Sequence, residues 1–280
     1  MTLRIGHYQC VCHPGEFERN LATVCDGLTM AAERGVRVLS FPETFLTGYY
    51  ASEERCRENA WPMGDPRMQQ LFSATAGYPS MFIVGFNELR GDDLHDTAVV
   101  IEQGRLVGHY SKAFPVMPYF RPGRECPVFE KDGVKFGIVI CADGGYPEPT
   151  RIMVMKGARI IFAPHYNYMP KEALIDHYIV VRNDHIARAV ENAVFFVRAN
   201  NVEMGHQDSL GYEGVGYGDS YILDPNGQII AAANLHEEVL IQADIDLDRR
   251  YYSPPNKATV SARAFWDRLR DAAQADGGIL

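Results

Sequence analysis

The 280-residue sequence has no long hydrophobic run, and none approaches the roughly 20 residues that a membrane-spanning helix needs. It also has no excess of positive charge, because its net charge is −9. An acidic chain is poorly suited to a nucleic-acid backbone or an anionic membrane surface. Its first residues are typical of a strand, not of a signal peptide. We therefore expect no nucleic-acid partner and no membrane partner.

Cysteine is sparse, and the chain has none after residue 141. The six residues are Cys10, Cys12, Cys25, Cys56, Cys126 and Cys141. This density is too low for a disulfide framework, and no second Cys or His pair at zinc-like spacing accompanies the close pair near the N-terminus. We therefore expect reduced thiols, a cytoplasmic location, no metal and no organic cofactor.

The order of the predicted elements indicates an α/β fold. A strand at Leu3–Tyr8, a helix with apolar positions from Phe17 to Ala31 and a strand at 36–41 predict a βαβ unit with parallel strands. Turn pairs that are typical of hairpins occur at Gln103-Gly104, Asp132-Gly133 and Asn226-Gly227. Further helices are predicted at about 148–157, 172–193 and 262–273.

No linker, repeat or low-complexity tract divides the chain. We therefore predict one domain over residues 1–280, built from two mixed sheets that pack face to face with helices outside. Pro254-Pro255 lies in the tail that follows Tyr251. Residues 251–280 are expected to form a C-terminal arm that runs over the body or onto a partner.

Three reactive side chains each follow an apolar run. Glu43 follows the strand at 36–41, Lys112 follows a strand at 105–110, and Cys141 follows a strand at 134–140. Strand ends of a common sheet lie close together, so these side chains are expected to converge on one site.

Their chemistry is consistent with such a site. A thiol needs a base or a cation to become a good nucleophile, and Glu43 could take its proton. Lys112 and the backbone N–H of Ala142 could hold a developing oxyanion. Each residue also has a structural alternative: Cys141 as a packed core thiol, Glu43 as a helix-capping acid and Lys112 as an exposed loop cation.

Candidate substrate-binding residues lie in loops at the same predicted sheet edge. Tyr119 follows the lysine, and His165, Tyr166 and Asn167 follow the strand that ends at Pro164. A lone histidine is often a structural hydrogen-bonding group, and this alternative stays open for His165.

Three other charged residues are expected to be structural. Asp143 and Glu148 should hold the turn and helix start behind the thiol. Glu191 lies at helical spacing from Arg188 and should form an ion pair with a neighbour.

Several segments, in order from about residue 3 to 250, resemble the motifs of the nitrilase superfamily, the carbon–nitrogen hydrolases. The matching segments are Pro42-Glu43, Lys112-Ala113-Phe114-Pro115, Phe120-Arg121-Pro122-Gly123, Ile140-Cys141-Ala142-Asp143, Pro147-Glu148, Arg188–Asn192, Ala199-Asn200 and Asp224–Gly227. The resemblance implies that Glu43 is the general base, Lys112 the oxyanion-stabilising lysine and Cys141 the nucleophile. It also implies an αββα four-layer sandwich that forms a homodimer or a higher even-numbered homo-oligomer.

The sequence departs from that family in one segment. Most members carry a second glutamate after the lysine, and residues 113–119 contain no carboxylate. We hypothesise that Tyr119 or a water molecule fills the gap, with Glu125 as the nearest acid downstream.

The residues after the thiol discriminate between branches of the family. Nitrilases favour Cys-Trp-Glu, whereas this chain has Cys141-Ala142-Asp143, and Gly144–Glu148 resembles the amidase and carbamoylase branches. The resemblance therefore implies hydrolysis of a small linear amide or N-carbamoyl compound through a thioester, with release of ammonia or an amine. Nitrile hydrolysis, acyl transfer by the same thiol, and a catalytically silent interaction protein remain as alternatives.

Overall fold

Two six-stranded sheets form the centre of the molecule, in a computed structural model that describes residues 1–252, 254 and 257–275. The strands are β1 (Thr2–Gln9), β2 (Val38–Ser40), β3 (Met81–Arg90), β4 (Asp93–Glu102), β5 (Arg105–Ser111), β6 (Phe129–Lys131), β7 (Val134–Ile138), β8 (Ile160–Pro164), β9 (Tyr168–Met169), β10 (Phe195–Ala199), β11 (Val202–Gln207), β12 (Tyr212–Tyr217), β13 (Tyr221–Leu223), β14 (Ile229–Ala232) and β15 (Val239–Asp246). The α-helices are α1 (Phe17–Glu33), α2 (Glu53–Asn59), α3 (Pro66–Thr75), α4 (Pro147–Met155), α5 (Leu174–Asn192) and α6 (Lys257–Ala275).

The first sheet has the order β15-β1-β2-β3-β4-β5, and the second has the order β14-β13-β10-β8-β7-β6. β1, β2 and β3 are parallel, as the predicted βαβ unit requires, and β7, β8 and β10 are parallel in the other sheet. The parallel strands of both sheets are flanked by antiparallel strands at the edges. β11, β12 and β9 form a small third sheet.

Alternate side chains of each strand face different layers, because successive residues of a strand point to opposite faces. Val38 packs between the two sheets, whereas Leu39 packs in the cluster that includes the apolar face of α1. In the second sheet, Phe162 lies between the sheets and Ile161 lies against α4 and α5. The order of layers is therefore helix, sheet, sheet, helix, which confirms the predicted αββα sandwich.

The three predicted hairpins are confirmed. Gln103 and Gly104 have φ values of 48° and 71°, and Asp132 and Gly133 have φ values of 51° and 77°. Both pairs therefore adopt the left-handed backbone that this type of two-residue turn requires. In the third hairpin, Gly227 has a φ of 80°.

A β-bulge changes the register of the β4–β5 hairpin. The pairing shifts between Val100 and Ile101, so that Thr97 lies opposite Ser111. One residue further, the N–H of Lys112 donates to the carbonyl of Asp96 at 2.9 Å. The bulge thus brings Asp96 next to Lys112.

Several elements were not predicted from the sequence. β15 pairs with β1 over all eight of its residues, although no turn motif links the two strands. The β11–β12 hairpin and the short helices α2 and α3 were also missed. α5 begins at Leu174 after a 3₁₀ turn at Lys171–Ala173, and α6 begins at Lys257, about one turn earlier than expected.

Within the predicted C-terminal arm, α6 contacts α4 and α5 on the outside of the second sheet. Residues 253, 255, 256 and 276–280 of that arm lie outside the described residues. All six cysteines are free thiols. Among the described helices, none combines the length and the hydropathy that crossing a membrane requires.

The backbone after Glu43 packs directly against β3 at Gly85. A Cβ atom on Gly85 would lie 2.4 Å from the backbone nitrogen of Thr44, a residue with a φ of 46°. We expect Gly85→Ala to lower the free energy of unfolding by about 1–3 kcal/mol, because the backbone must shift to admit the methyl group. Urea denaturation measures the change. The matched control is Gly64→Ala, since a Cβ there meets no atom within 4 Å; equal midpoints for both variants would contradict the prediction.

Candidate active site

Glu43, Lys112 and Cys141 meet at one point, as the three strand ends predict. Lys112 Nζ forms a short ion pair with Glu43 Oε1, and each residue is only 1% exposed. The second sheet supplies Cys141, which begins a 3₁₀ turn at Cys141–Gly145 and has a φ of 47°. Such a left-handed backbone is strained for a residue other than glycine, and it is common where a turn presents a functional side chain.

The Glu43 carboxylate is fixed by both oxygens. While Oε1 pairs with Lys112, Oε2 accepts a hydrogen bond from the backbone N–H of Tyr166 at 2.7 Å. The backbone N–H of Glu43 donates to the carbonyl of His165 at 3.2 Å. Residues from both sheets therefore hold the side chain in place.

The Lys112 ammonium has a second carboxylate beside it. Asp96 Oδ2 lies 3.3 Å from Nζ, and the ring of Tyr49 lies 5.9 Å away. Burial alone lowers the pKa of the lysine, but the nearby Glu43 and Asp96 outweigh that effect and raise the pKa well above its usual value. Lys112 is thus a permanent cation at neutral pH.

The Cys141 thiol is protonated at rest. Burial and the neighbouring Glu43 carboxylate raise its pKa to about 12. Asn167 Nδ2 donates to Sγ at 3.4 Å, and Arg198 Nη2 donates to Asn167 Oδ1 at 2.6 Å. Arg198 is fully buried, and it fixes the amide so that the NH₂ group faces the sulfur. A thiol in this state can attack only if a base removes its proton, and Glu43 is in position to do so.

The turn behind the thiol is held as expected. Asp143 accepts hydrogen bonds from the N–H groups of Ile140 at 3.0 Å and Phe114 at 2.7 Å, and from the hydroxyl of Tyr110 at 2.7 Å. It therefore ties the loop after Lys112 to the turn that carries Cys141.

Arg188 supports the same turn from α5. Its Nε donates to the carbonyl of Gly144 at 3.1 Å, and it also forms the predicted ion pair with Glu191. These contacts confirm the expected structural roles of Asp143 and Glu191.

A cavity of about 400 Å³ opens onto Cys141. Its described lining is mainly aromatic and apolar, and it contains two carboxylates but no arginine or lysine. The lining residues are Glu43, Tyr49, Ala51, Val116, Met117, Cys141, Ala142, Gly145, His165, Tyr166, Asn167, Tyr168, Met169, His177, Val181, Asp184, His185, Leu210 and Tyr212. The fold thus brings the Cys141 thiol, Glu43 and Ala142 to one cavity.

Three of the four candidate substrate-binding residues line this cavity. Asn167 touches the sulfur, and the ring of Tyr166 stacks on Tyr49 with centroids 5.6 Å apart. His165 is buried, its Nδ1 is 2.6 Å from the carbonyl of Ala163, and burial lowers its pKa well below the usual value. A neutral histidine held in this way matches the structural alternative. Tyr119 is not among the described lining residues.

Neither Tyr119 nor Glu125 fills the gap left by the absent second glutamate. The hydroxyl of Tyr119 donates to the carbonyl of Tyr50, and Glu125 is exposed outside the cavity. The carboxylate that reaches Lys112 is Asp96, which comes from β4. Sequence reasoning missed it because its place beside Lys112 depends on the β-bulge. A charged residue directly before the apolar run 97–101 was the only available signal.

The sequence of this chain matches a known protein family. The family model described as carbon-nitrogen hydrolase matches residues 4–252. The chain therefore belongs to the carbon–nitrogen hydrolase family, which confirms the resemblance noted from its motifs.

Relatives of this chain carry names of different activities. The chain is 31% identical over 257 residues to N-carbamoylputrescine amidase from Solanum tuberosum, covering 82% of each protein. It is 30% identical to a nitrilase from Pyrococcus abyssi, covering 78% of this chain and 79% of the nitrilase. It is 29% identical to glutamine-dependent NAD(+) synthetase from Thermotoga maritima, but it spans only 40% of that protein's length.

Solved structures of the amidase from Nesterenkonia sp. AN1 share the fold. One of them has a TM-score of 0.76 and 23% sequence identity, and it covers 95% of this chain and 96% of that one. That structure is of a variant with the acetamide moiety of fluoroacetamide covalently added at the active site cysteine.

The contact between Glu43 and the thiol predicts how Cys141 responds to loss of the carboxylate. Iodoacetamide alkylates the thiolate of Cys141, so the pH at which its rate is half-maximal reports the thiol pKa. In Glu43→Gln, we expect this pH to be at least about one unit lower than in the unaltered protein. The reason is that a negative charge that raises the thiol pKa is gone, while Lys112 remains. Mass spectrometry of the Cys141 peptide over a pH series measures this. Cys25, on α1, serves as the internal control, and an unchanged or higher midpoint at Cys141 would refute the prediction.

Proposed function

We propose that the protein hydrolyses the C–N bond of small linear amides or N-carbamoyl compounds through a thioester on Cys141. The observation that carries this proposal is the convergence of Glu43, Lys112 and Cys141, with Glu43 and Cys141 in the wall of one cavity and Lys112 paired with Glu43 behind it. The family membership and the amidase relatives support it.

In the proposed first half-reaction, Glu43 takes the thiol proton while Sγ attacks the carbonyl carbon. The tetrahedral intermediate then collapses, Glu43 gives the proton to the departing nitrogen, and the C–N bond breaks. In the second half, Glu43 takes a proton from water, which attacks the thioester. The acid leaves and the thiol regains its proton.

The oxyanion of each intermediate has two donors in this proposal. The Lys112 ammonium has three N–H donors, and one of them pairs with Glu43, which leaves a donor for the substrate oxygen. Ala142 is the second residue of the 3₁₀ turn, and an N–H so close to a helix start has no partner within the helix. Donors that are already in place can stabilise the charge without reorganisation.

The cavity favours neutral acyl groups over anionic ones. Glu43 and Asp184 are its two described carboxylates, and no described lining residue offers an arginine or lysine to a carboxylate of the substrate. Val116, Val181 and Leu210 supply apolar surface. We therefore propose that short aliphatic amides or neutral N-carbamoyl compounds are better substrates than ω-amides that carry a free carboxylate.

Ammonia release from a substrate panel tests this function. The panel contains short aliphatic amides such as butyramide, N-carbamoyl compounds, ω-amides, glutamine and nitriles. We expect release from the neutral amides or carbamoyl compounds and its loss in Cys141→Ala, with Cys25→Ala as a matched thiol control. Release that survives in Cys141→Ala would contradict the proposal.

The same panel separates the alternatives. Release of ammonia from nitriles in preference to amides would assign the nitrilase reaction, which the Pyrococcus relative makes relevant. Loss of hydrolysis in favour of a new amide, when an amine acceptor is added, would assign acyl transfer. No product from any compound by a folded protein would favour the catalytically silent alternative.

We also propose a cytoplasmic homodimer or higher even-numbered assembly. The six free thiols are consistent with that compartment. Exposed apolar side chains cluster on the adjacent helices α5 and α6 and offer a face for a second copy. They are Ile175, Ile179, Val180, Phe265, Trp266 and Leu269.

Light scattering after size exclusion tests the assembly. We expect the unaltered chain to elute as an even multiple of its 31.4 kDa mass, and Trp266→Glu to shift it towards the monomer because a charge would be buried at the interface. Val107→Glu is the matched control, because Val107 is exposed on β5, away from α6. A monomeric unaltered chain would contradict the proposal.

A further inference from the structure

Asp96 is a buried carboxyl group in the active site, and the reaction proposed above gives it no role. It is 1% exposed and lies 3.3 Å from Lys112 Nζ. Neither of its oxygens accepts a well-aligned hydrogen bond from any described residue. A buried ionised carboxylate normally needs several such donors, so this site is better suited to a neutral acid.

The charges around Asp96 support the same conclusion. The titratable groups that face it from neighbouring elements are Glu43 and Tyr49 after β2, Cys56 on α2, Lys112 after β5, Tyr119 in the following loop and Cys141. Burial raises the pKa values of both the cysteines and the tyrosines, so these groups are neutral at rest. Among the described groups that face Asp96, Lys112 is then the one cation for two buried carboxyl groups, and a net negative charge would remain if both ionised.

The contacts of the two carboxyl groups decide which one carries a proton. Glu43 receives the ammonium of Lys112 and the N–H of Tyr166, and donors of this kind stabilise an ionised carboxylate. Asp96 receives no comparable donor. Burial and the adjacent Glu43 raise the pKa of Asp96 well above its usual range.

We propose that Asp96 is held as a neutral acid that shares its proton with Glu43, and that it thereby keeps Glu43 the ionised partner of Lys112 and the acceptor of the thiol proton. Asp96 is a positioning residue, since it acts through Glu43 and Lys112 and does not touch the substrate. The inference rests on the proposed function for its catalytic consequence, whereas the protonation state can be observed without any substrate.

The neutral acid matters most when the oxyanion forms. At that stage the thiol proton has moved to Glu43 and the negative charge lies on the substrate oxygen, opposite Lys112. An ionised Asp96 would add a second negative charge within reach of the same ammonium and would weaken its hold on the oxyanion. Raising the pH until Asp96 loses its proton should therefore lower the rate.

The first experiment is infrared spectroscopy of the unaltered protein at neutral pH, with isotope-labelled aspartate. We expect a protonated-carboxyl C=O stretch that shifts with the label and is missing in Asp96→Asn. Any similar signal from Asp143, which is also buried, should persist in that variant. Absence of an Asp96 signal would overturn the proposal, whether or not the protein hydrolyses amides.

The second experiment is the pH profile of kcat/KM on the best substrate of the panel. Asp96→Asn retains a donor for Glu43 but cannot ionise, so we expect the alkaline limb to move to higher pH by about one unit or more. Asp96→Leu loses the donor, and we expect kcat at neutral pH to fall at least about tenfold below that of Asp96→Asn. If Asp96 is instead an anion that holds Lys112, both variants lose activity equally and the alkaline limb does not move, which would refute the proposal.

Discussion

The side chain of Lys112 is buried, and its pairing with Glu43 follows from the cost of burying a charge. An unpaired buried cation costs several kcal/mol, so the fold must supply negative charge beside it. Glu43, in the loop after β2 and far from Lys112 in the sequence, supplies that charge, and the proposed neutral acid Asp96, on β4, lies beside the same ammonium. Since an apolar cluster of the same size is often at least as stable as a buried ion pair, stability alone does not account for this arrangement.

The order of layers and the main site were accessible from the sequence because both depend on local patterns. Apolar runs that end on Glu43, Lys112 and Cys141 indicated strand ends at a common edge, and the turn pairs Gln103-Gly104 and Asp132-Gly133 marked hairpins. The expected support of the thiol turn by Asp143 also followed from its position, two residues after the start of the turn. Such features need only neighbouring residues to specify them.

The parts that were missed depend on contacts between distant residues. β15 completes the first sheet by pairing with β1, which lies more than 200 residues earlier in the sequence, and no local sequence motif predicts this pairing. Arg198 is fully buried in a strand whose sequence is otherwise apolar, and its contact with Asn167 depends on the pairing of β10 with β8. The position of Asp96 is set by a bulge that the spacing of the hairpin turn does not reveal.

That bulge also constrains how the chain can change length. Side chains of a strand alternate between two faces, so removing one residue from the hairpin between Val100 and Lys112 would turn the lysine away from Glu43 or leave Asp96 opposite the wrong partner. The turn at residues 103–104 is also constrained, because a Cβ atom on Gly104 would lie 2.4 Å from the carbonyl oxygen of Phe72 in α3. Over evolutionary time, this hairpin should therefore keep its length both at the turn and from the bulge to the lysine.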